Sequence, residues 1–232
     1  MHNHFQEILI DWHYRLSVGF LASSVPTFLI TRRLTAPFGR HAPTKASEKK
    51  WWHGPLINAK FSWMIFEMPN LLWSYYCCNH FNSLIGVDDT SGVSLNALLL
   101  GLFTAHYVNR AIVYPLRMSD GSAKVPLIVT VSACAVTAVN GYLQTVYLCN
   151  IKSLGKIALS MNNSQHFGLM TFLSGMYINI HSDSVLRNLR RSKTAPSANP
   201  TDQTVKQYFI PHSPFFKVRH AGCSSTFFRT FV

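Results

Sequence analysis

The sequence predicts an all-α polytopic membrane protein, a bundle of about five transmembrane helices. Three observations carry this. Charged residues make up only 13% of the 232, against 48% hydrophobic, where a soluble domain carries about 25% charged residues. Five apolar stretches punctuate the chain. The basic residues behind the net charge of +12 gather in alternate connections between those stretches, the pattern of cytoplasmic loops beside anionic headgroups.

The first stretch covers residues 16–30, broken by Ser23, Ser24 and Pro26. It is short against the ~20 residues that cross the hydrocarbon. No basic cluster precedes Arg15 and no small-residue cleavage site follows, so it reads as a retained helix rather than a secretory signal. The second covers 59–76, the third 95–114, the fourth 125–148 and the fifth 167–180, which is again short. Arg32, Arg33, Arg40, Lys45, Lys49, Lys50 and Lys60 follow the first stretch, whereas Asp88 and Asp89 are the only charges after the second. Arg117 and Lys124 follow the third, Lys152 and Lys156 the fourth, and Arg187, Arg190, Arg191 and Lys193 the fifth. The excess places the first and third loops and the tail in the cytoplasm, with the N-terminus lumenal.

Asn162-Asn163-Ser164 forms a glycosylation triplet in an expected lumenal loop, a pattern common by chance. Residues 193–206 are rich in Ser, Thr, Pro and Asn and read as a flexible loop. Cys77, Cys78, Cys134, Cys149 and Cys223 show no metal-ligand spacing, so buried, unreactive thiols and no metal site are expected. The basic residues punctuate apolar spans rather than interleave with aromatics on one face, which argues against nucleic acid as a partner.

Polar groups inside the apolar stretches are the candidate site, because a charge within the bilayer is costly and turns to a bundle interior or a ligand. Glu67 has apolar neighbours on both sides in Trp63-Met64-Ile65-Phe66-Glu67-Met68-Pro69. A protonated carboxyl there could donate a hydrogen bond; a packing or interfacial carboxylate is the plainer alternative. His106, Tyr107 and Arg110 fall at helical spacing and can share one face. A phenol and a carboxylic acid aimed at one carbonyl would form an oxyanion-type donor pair. Arg110 could hold a phosphate or carboxylate bidentately; alternatively it snorkels to the interface while Tyr107 joins an aromatic belt. Asn179, Asp183, Arg187 and Arg190 lie close to one helical stripe. They offer amide, carboxylate and guanidinium groups suited to a nucleotide's ribose and phosphates, or an ordinary helix end with positive-inside arginines. Asn140 and Gln144, in the fourth stretch, could bond between helices or to a ligand. There is no G-x-G-x-x-G, P-loop or Gly-x-Ser-x-Gly, so any nucleotide site is not of the Rossmann type.

The run Leu99-Leu100-Gly101-Leu102-Phe103-Thr104-Ala105-His106-Tyr107-Val108-Asn109-Arg110 resembles the "LLGLF-x-x-HY-x-x-R" stretch of steroid 5α-reductases. Four further pieces agree in order and spacing. Ala36-Pro37-Phe38-Gly39-Arg40-His41 resembles "APYGRH", and Trp63 to Pro69 resembles "W-x-x-x-E-x-P". Asn140-Gly141-Tyr142-Leu143-Gln144 resembles "NGYLQ", and Asn179-Ile180-His181-Ser182-Asp183 to Arg190 resembles "NIHSD-x-x-LR-x-LR".

The resemblance implies a seven-helix reductase bundle of the endoplasmic reticulum membrane, of which this chain is an incomplete version. It implies NADPH as cofactor and reduction of the Δ4 double bond of a 3-oxo-steroid or related enone lipid. Glu67 and Tyr107 would hydrogen-bond the 3-oxo group. Arg110, Asn179, Asp183, Arg187 and Arg190 would face the cofactor.

The departures are specific. Phe66 stands where the mammalian steroid enzymes carry Gln. Tyr208-Phe209-Ile210-Pro211 resembles "Y-x-IP", but Ser213-Pro214 replaces the following Gly-Gly, after a longer insertion at about 192–207. Three regions are therefore expected: a bundle over 1–191, a cytoplasmic loop over 192–216 and an off-pattern tail over 217–232. A C-terminally truncated member is the reading, with a non-catalytic partner of a full-length homologue, or a polyprenal reductase, as alternatives.

Overall fold

A computed structural model describes residues 2–33, 37, 50–80, 94–118, 124–155 and 161–194. The Ala36-to-His41 stretch (Pro37 apart), the 208–216 match, Cys223 and the tail lie outside these residues. The chain divides into two compact units. One holds helices α1 to α5 and a small sheet; the other centres on α6.

Helix α1 runs over His2–Arg33, well past the N-terminal side of the first apolar stretch and about one turn past its C-terminal side. The expected interruption does not end it. Ser23 and Ser24 donate to the Phe20 and Leu21 carbonyls, each at 2.6 Å, and Thr27 to Ser23 at 2.7 Å. These back-bonds satisfy the hydroxyls inside an apolar helix. Pro26 removes one backbone donor.

Strand β1 (Leu56–Asn58) leads into helix α2 (Ala59–His80), where the Asn58 side chain accepts from the Lys60 amide at 2.9 Å. Helix α3 (Leu95–Val108) begins at Ser94, whose hydroxyl accepts from the Asn96 amide. It continues through a π-helical turn at Asn109–Val113 into the short α4 (Tyr114–Arg117). Strand β2 (Lys124–Pro126) precedes α5 (Leu127–Val146), which ends in a second π turn at Tyr147–Ile151. Helix α6 covers Asn163–Thr194. Asn162 Oδ1 accepts from the Gln165 amide and Gln165 Oε1 from the Asn162 amide, each at 2.9 Å. This reciprocal cap fixes the start of α6 and engages the side chain of the glycosylation triplet.

Each of the five apolar stretches is therefore a helix. The two strands are a departure from an all-α fold. They pair antiparallel, with Ile57 opposite Val125. Gly54, at φ 68°, lets the chain pass Leu127, whose Cβ would lie 3.2 Å from an added Cβ. The pairing sets the starts of α2 and α5 side by side.

From there α2 and α5 run parallel. The Ser62 and Thr130 hydroxyls share a hydrogen bond at 2.6 Å, Thr137 donates to the Phe66 carbonyl, and Asn140 donates to Asn70 at 3.1 Å. Further along, Cys77 meets Thr145 at 3.3 Å. Helix α3 enters at the opposite end. The fully buried Asn96 donates to the Leu148 and Lys152 carbonyls and accepts from the Leu154 amide, all at 2.8 Å. The apolar core beside it comprises Cys77, Leu100, Val146, Leu148 and Cys149.

Among the described residues, Leu127–Ile151 is the one helix long and apolar enough to cross a membrane by length and composition. Polar positions such as Ser62, Glu67, Asn70 and Ser74 in α2 dilute the hydropathy of the others. Of the thiols expected to be buried, Cys77 and Cys149 are, whereas Cys134 is half-buried and Cys78 is exposed.

Candidate functional site

The site assembles where three helices of the first unit bring polar side chains together. Helix α2 supplies Glu67 and Asn70, α3 and its π turn supply Tyr107 and Arg110, and α5 supplies Asn140. Glu67 lies two helical turns in from the start of α2, roughly 12 Å at the helical rise. Its neighbours on the same face are Ser62, Asn70 and Ser74, all buried. A stripe of small or polar groups at spacings of three to five is the face that packs on α5.

Arg110 is placed by the π turn. A π turn inserts a residue into the helical ladder and shifts which side chains face the bundle. The Arg110 guanidinium approaches one carboxylate oxygen, Glu67 Oε1, with Nη2 at 3.0 Å and Nε at 3.2 Å. It also lies over the Trp63 ring at 4.7 Å and the Tyr114 ring at 5.8 Å. The carboxylate that Arg110 holds is thus the protein's own. In this contact Glu67 accepts hydrogen bonds; a donor role toward a carbonyl requires a proton on it. The Arg110 side chain is 16% exposed.

Tyr107 is half-buried, its ring packed on Phe103 at 4.6 Å and edge-on to His106 at 5.1 Å. Asn140 Nδ2 donates to Tyr107 Oη at 3.1 Å and to Asn70 Oδ1 at 3.1 Å. Asn70 Nδ2 makes a long bond, 3.5 Å, to the Glu67 carbonyl. The close approach of α2 and α5 that permits this is made at Gly141. A Cβ there would lie 3.0 Å from Trp73 Cδ1 and 3.1 Å from Asn70 Cα. Gln144, singled out with Asn140, is exposed instead. Trp63 Nε1 is buried and has no hydrogen-bond partner among the described residues.

Asn70 was not legible as a site residue. Its signal, an amide directly after Pro69 in an apolar helix, has no fixed meaning without the neighbouring helix.

The second unit carries the other candidates. Asn179, Asp183 and Arg187 are half-buried on α6, spaced by four residues along one stripe. Arg187 Nη2 donates to Ser184 Oγ at 3.2 Å. Asn179 Oδ1 is buried without a hydrogen-bond partner among the described residues. Arg190 lies on the same helix, but its side chain falls outside the described residues.

Residues 123–216 match the family model described as 3-oxo-5-alpha-steroid 4-dehydrogenase. The matched region contains Asn140 and all four polar positions of the α6 stripe. The chain is also 33% identical over 161 residues to the 3-oxo-5-alpha-steroid 4-dehydrogenase 1 of Rattus norvegicus, a match covering 69% of this chain and 56% of that protein. The chain belongs to the 3-oxo-5α-steroid 4-dehydrogenase family. The Mus musculus protein of the same name is 31% identical over 173 residues, covering 75% of this chain and 62% of its own length. The plant steroid 5-alpha-reductase DET2 of Gossypium hirsutum is 27% identical over 192 residues, covering 78% and 65%. The chain therefore spans roughly three-fifths of the curated relatives it matches. The α2–α3–α5 cluster and the α6 stripe are the two candidate sites.

Proposed function

We propose that this chain carries a carbonyl-polarising cluster and, separately, a cofactor-binding helix face of a membrane-embedded reductase. It uses NADPH to reduce the Δ4 double bond of a 3-oxo-steroid. One observation carries the reading: Glu67, Tyr107 and Arg110, polar side chains from two apolar helices, converge in the bundle, and family members are named for this oxidoreduction. Buried polar clusters in apolar helices persist for function.

The chemistry asks for little that this cluster lacks. When bound, a nicotinamide cofactor supplies hydride to the enone β-carbon. Negative charge then flows to the carbonyl oxygen, and preorganised donors aimed at that oxygen lower the barrier. Tyr107 is the first donor. Glu67 is the second when it carries a proton. The Glu67–Arg110 pair is neutral with the proton absent and carries one positive charge with it present, matched to the single negative charge of the enolate. A proton delivered to the α-carbon completes the saturated ketone.

The α6 stripe fits the cofactor. Arg187 and Arg190 suit phosphate oxygens, which guanidinium groups hold bidentately. Asp183 suits ribose hydroxyls. The orphaned Asn179 oxygen suits an amide N–H, because a buried acceptor left unpaired costs about 1–3 kcal/mol.

The bundle sits in the bilayer of the endoplasmic reticulum. Large apolar side chains such as Phe61, Leu72, Val131 and Val136 face outward, as lipid contact requires. The parallel course of α2 and α5, with Lys60 and Lys124 at the same end, supports a cytoplasmic start for both.

The test is direct. The chain, expressed in microsomes lacking endogenous reductase, is given NADPH and a 3-oxo-Δ4-steroid, and the product is read by mass spectrometry. A steroid heavier by two hydrogens, formed much more slowly but still measurably by Glu67→Gln and Tyr107→Phe, supports the proposal. Unchanged steroid in the presence of folded protein refutes it.

A further inference from the structure

We infer that Asn140 and Asn70 are positioning residues that fix the direction of the Tyr107 hydroxyl, so that its proton is reserved for the ligand. The inference rests on the reading of Tyr107 above and deepens it.

The chain of bonds begins at a group with no choice. The Glu67 carbonyl can only accept. Asn70 Nδ2 faces it, at 3.5 Å, and so turns Asn70 Oδ1 toward α5. That oxygen can only accept, and Asn140 Nδ2 meets it at 3.1 Å. The same amide nitrogen carries a second hydrogen, and Tyr107 Oη lies 3.1 Å away. Asn140 therefore donates to Tyr107. A phenol oxygen that accepts from its neighbour keeps its own O–H for another partner, and Asn140 is the hydrogen-bond partner of Tyr107 Oη among the described residues.

Burial makes the relay stiff. Asn70 is fully buried and Asn140 half-buried. A flipped Asn140 would set its oxygen against Asn70 Oδ1, acceptor to acceptor, in a place where unmade bonds are costly. The relay also links the two proposed carbonyl contacts, since its far end is the Glu67 backbone itself. It runs across the α2–α5 contact at Gly141, where an added Cβ would press on Asn70 Cα at 3.1 Å. The motif Asn140-Gly141 thus reads as one device: the glycine brings the helices together and the asparagine uses the proximity.

Asn140→Asp tests this, because it keeps the shape and replaces a donor by an acceptor. The first readout needs no activity. Ultraviolet resonance Raman of the full chain in lipid nanodiscs, as wild type minus Tyr107→Phe, isolates the Tyr107 ring doublet, whose intensity ratio separates an accepting from a donating phenol. An accepting signature in wild type that becomes donating in Asn140→Asp, and is lost in Asn140→Ala, supports the inference. A donating signature in wild type, or one that neither variant moves, overturns it.

The second readout is kinetic. Asn140→Asp lowers kcat for enone reduction about 10- to 100-fold, leaves the KM for NADPH unchanged, and adds no further loss in a Tyr107→Phe background. Losses that multiply across the two backgrounds overturn a role acting through Tyr107. If no enone is reduced while the Raman change is present, the substrate reading fails and the positioning role stands.

Discussion

Replacing Arg110 by Met removes the partner of a carboxylate that has little access to water. The Glu67 side chain is 7% exposed and that of Arg110 16%, with Nη2 and Oε1 3.0 Å apart. Screening is weak at such burial, so the stranded charge dominates. Removing one member of a buried ion pair costs about 3–5 kcal/mol. The contact of the guanidinium with the Trp63 face at 4.7 Å is lost as well, but Met refills much of that space. For a protein of this size 1 kcal/mol moves the midpoint by about 2–4 °C. Arg110→Met is therefore expected to lower Tm by about 6–20 °C, measured by near-ultraviolet circular dichroism of the purified chain in mild detergent. Replacing both partners, Glu67→Gln with Arg110→Met, should recover most of the loss, because two neutral side chains leave no buried charge. A single variant within about 2 °C of wild type, or a double variant no better than the single, would refute the buried-pair argument.

Three other outcomes follow from the same packing. Gly141→Ala puts a methyl 3.1 Å from the Asn70 backbone, so overpacking should cost about 1–3 kcal/mol in the same melt; an unchanged midpoint would mean the helices are not in contact there. Asn96→Leu strands two carbonyls and one amide that it now bonds at 2.8 Å. A loss of about 3 kcal/mol or more is expected, together with faster hydrogen exchange at Leu154, and unaltered exchange would contradict the clamp. Arg187→Gln should weaken NADPH binding about tenfold or more, measured by equilibrium dialysis, with little effect on Tm; equal affinity would remove Arg187 from the cofactor site.

The helices were legible because helix and span are local properties. Apolar length and composition alone marked α2, α3 and α5, and backbone hydrogen bonds are satisfied within each segment whatever packs around it. The stripe of Asn179, Asp183 and Arg187 was legible for the same reason: a period of 3.6 sets a shared face without reference to any neighbour. Glu67 and Tyr107 stood out because polar groups in apolar helices need a purpose. The span of α1 was under-read, since Ser23, Ser24 and Thr27 could repay their own polarity by bonding back along the helix.

What the sequence could not assign was which partner each polar group meets. Arg110 was read toward a phosphate or a carboxylate, and the π turn at Asn109–Val113 and the position of α2 set it against the carboxylate of Glu67. Asn140 and Gln144 looked equivalent, yet one closes the relay to Tyr107 and the other faces outward. Asn70 carried no signal until Gly141 brought α5 against it. The sequence by itself determined the helices, their polar positions and the family. The tertiary structure decided the pairing, because hydrogen bonds and ion pairs act over about 3 Å, and only the packing of one helix on another sets distances that fine.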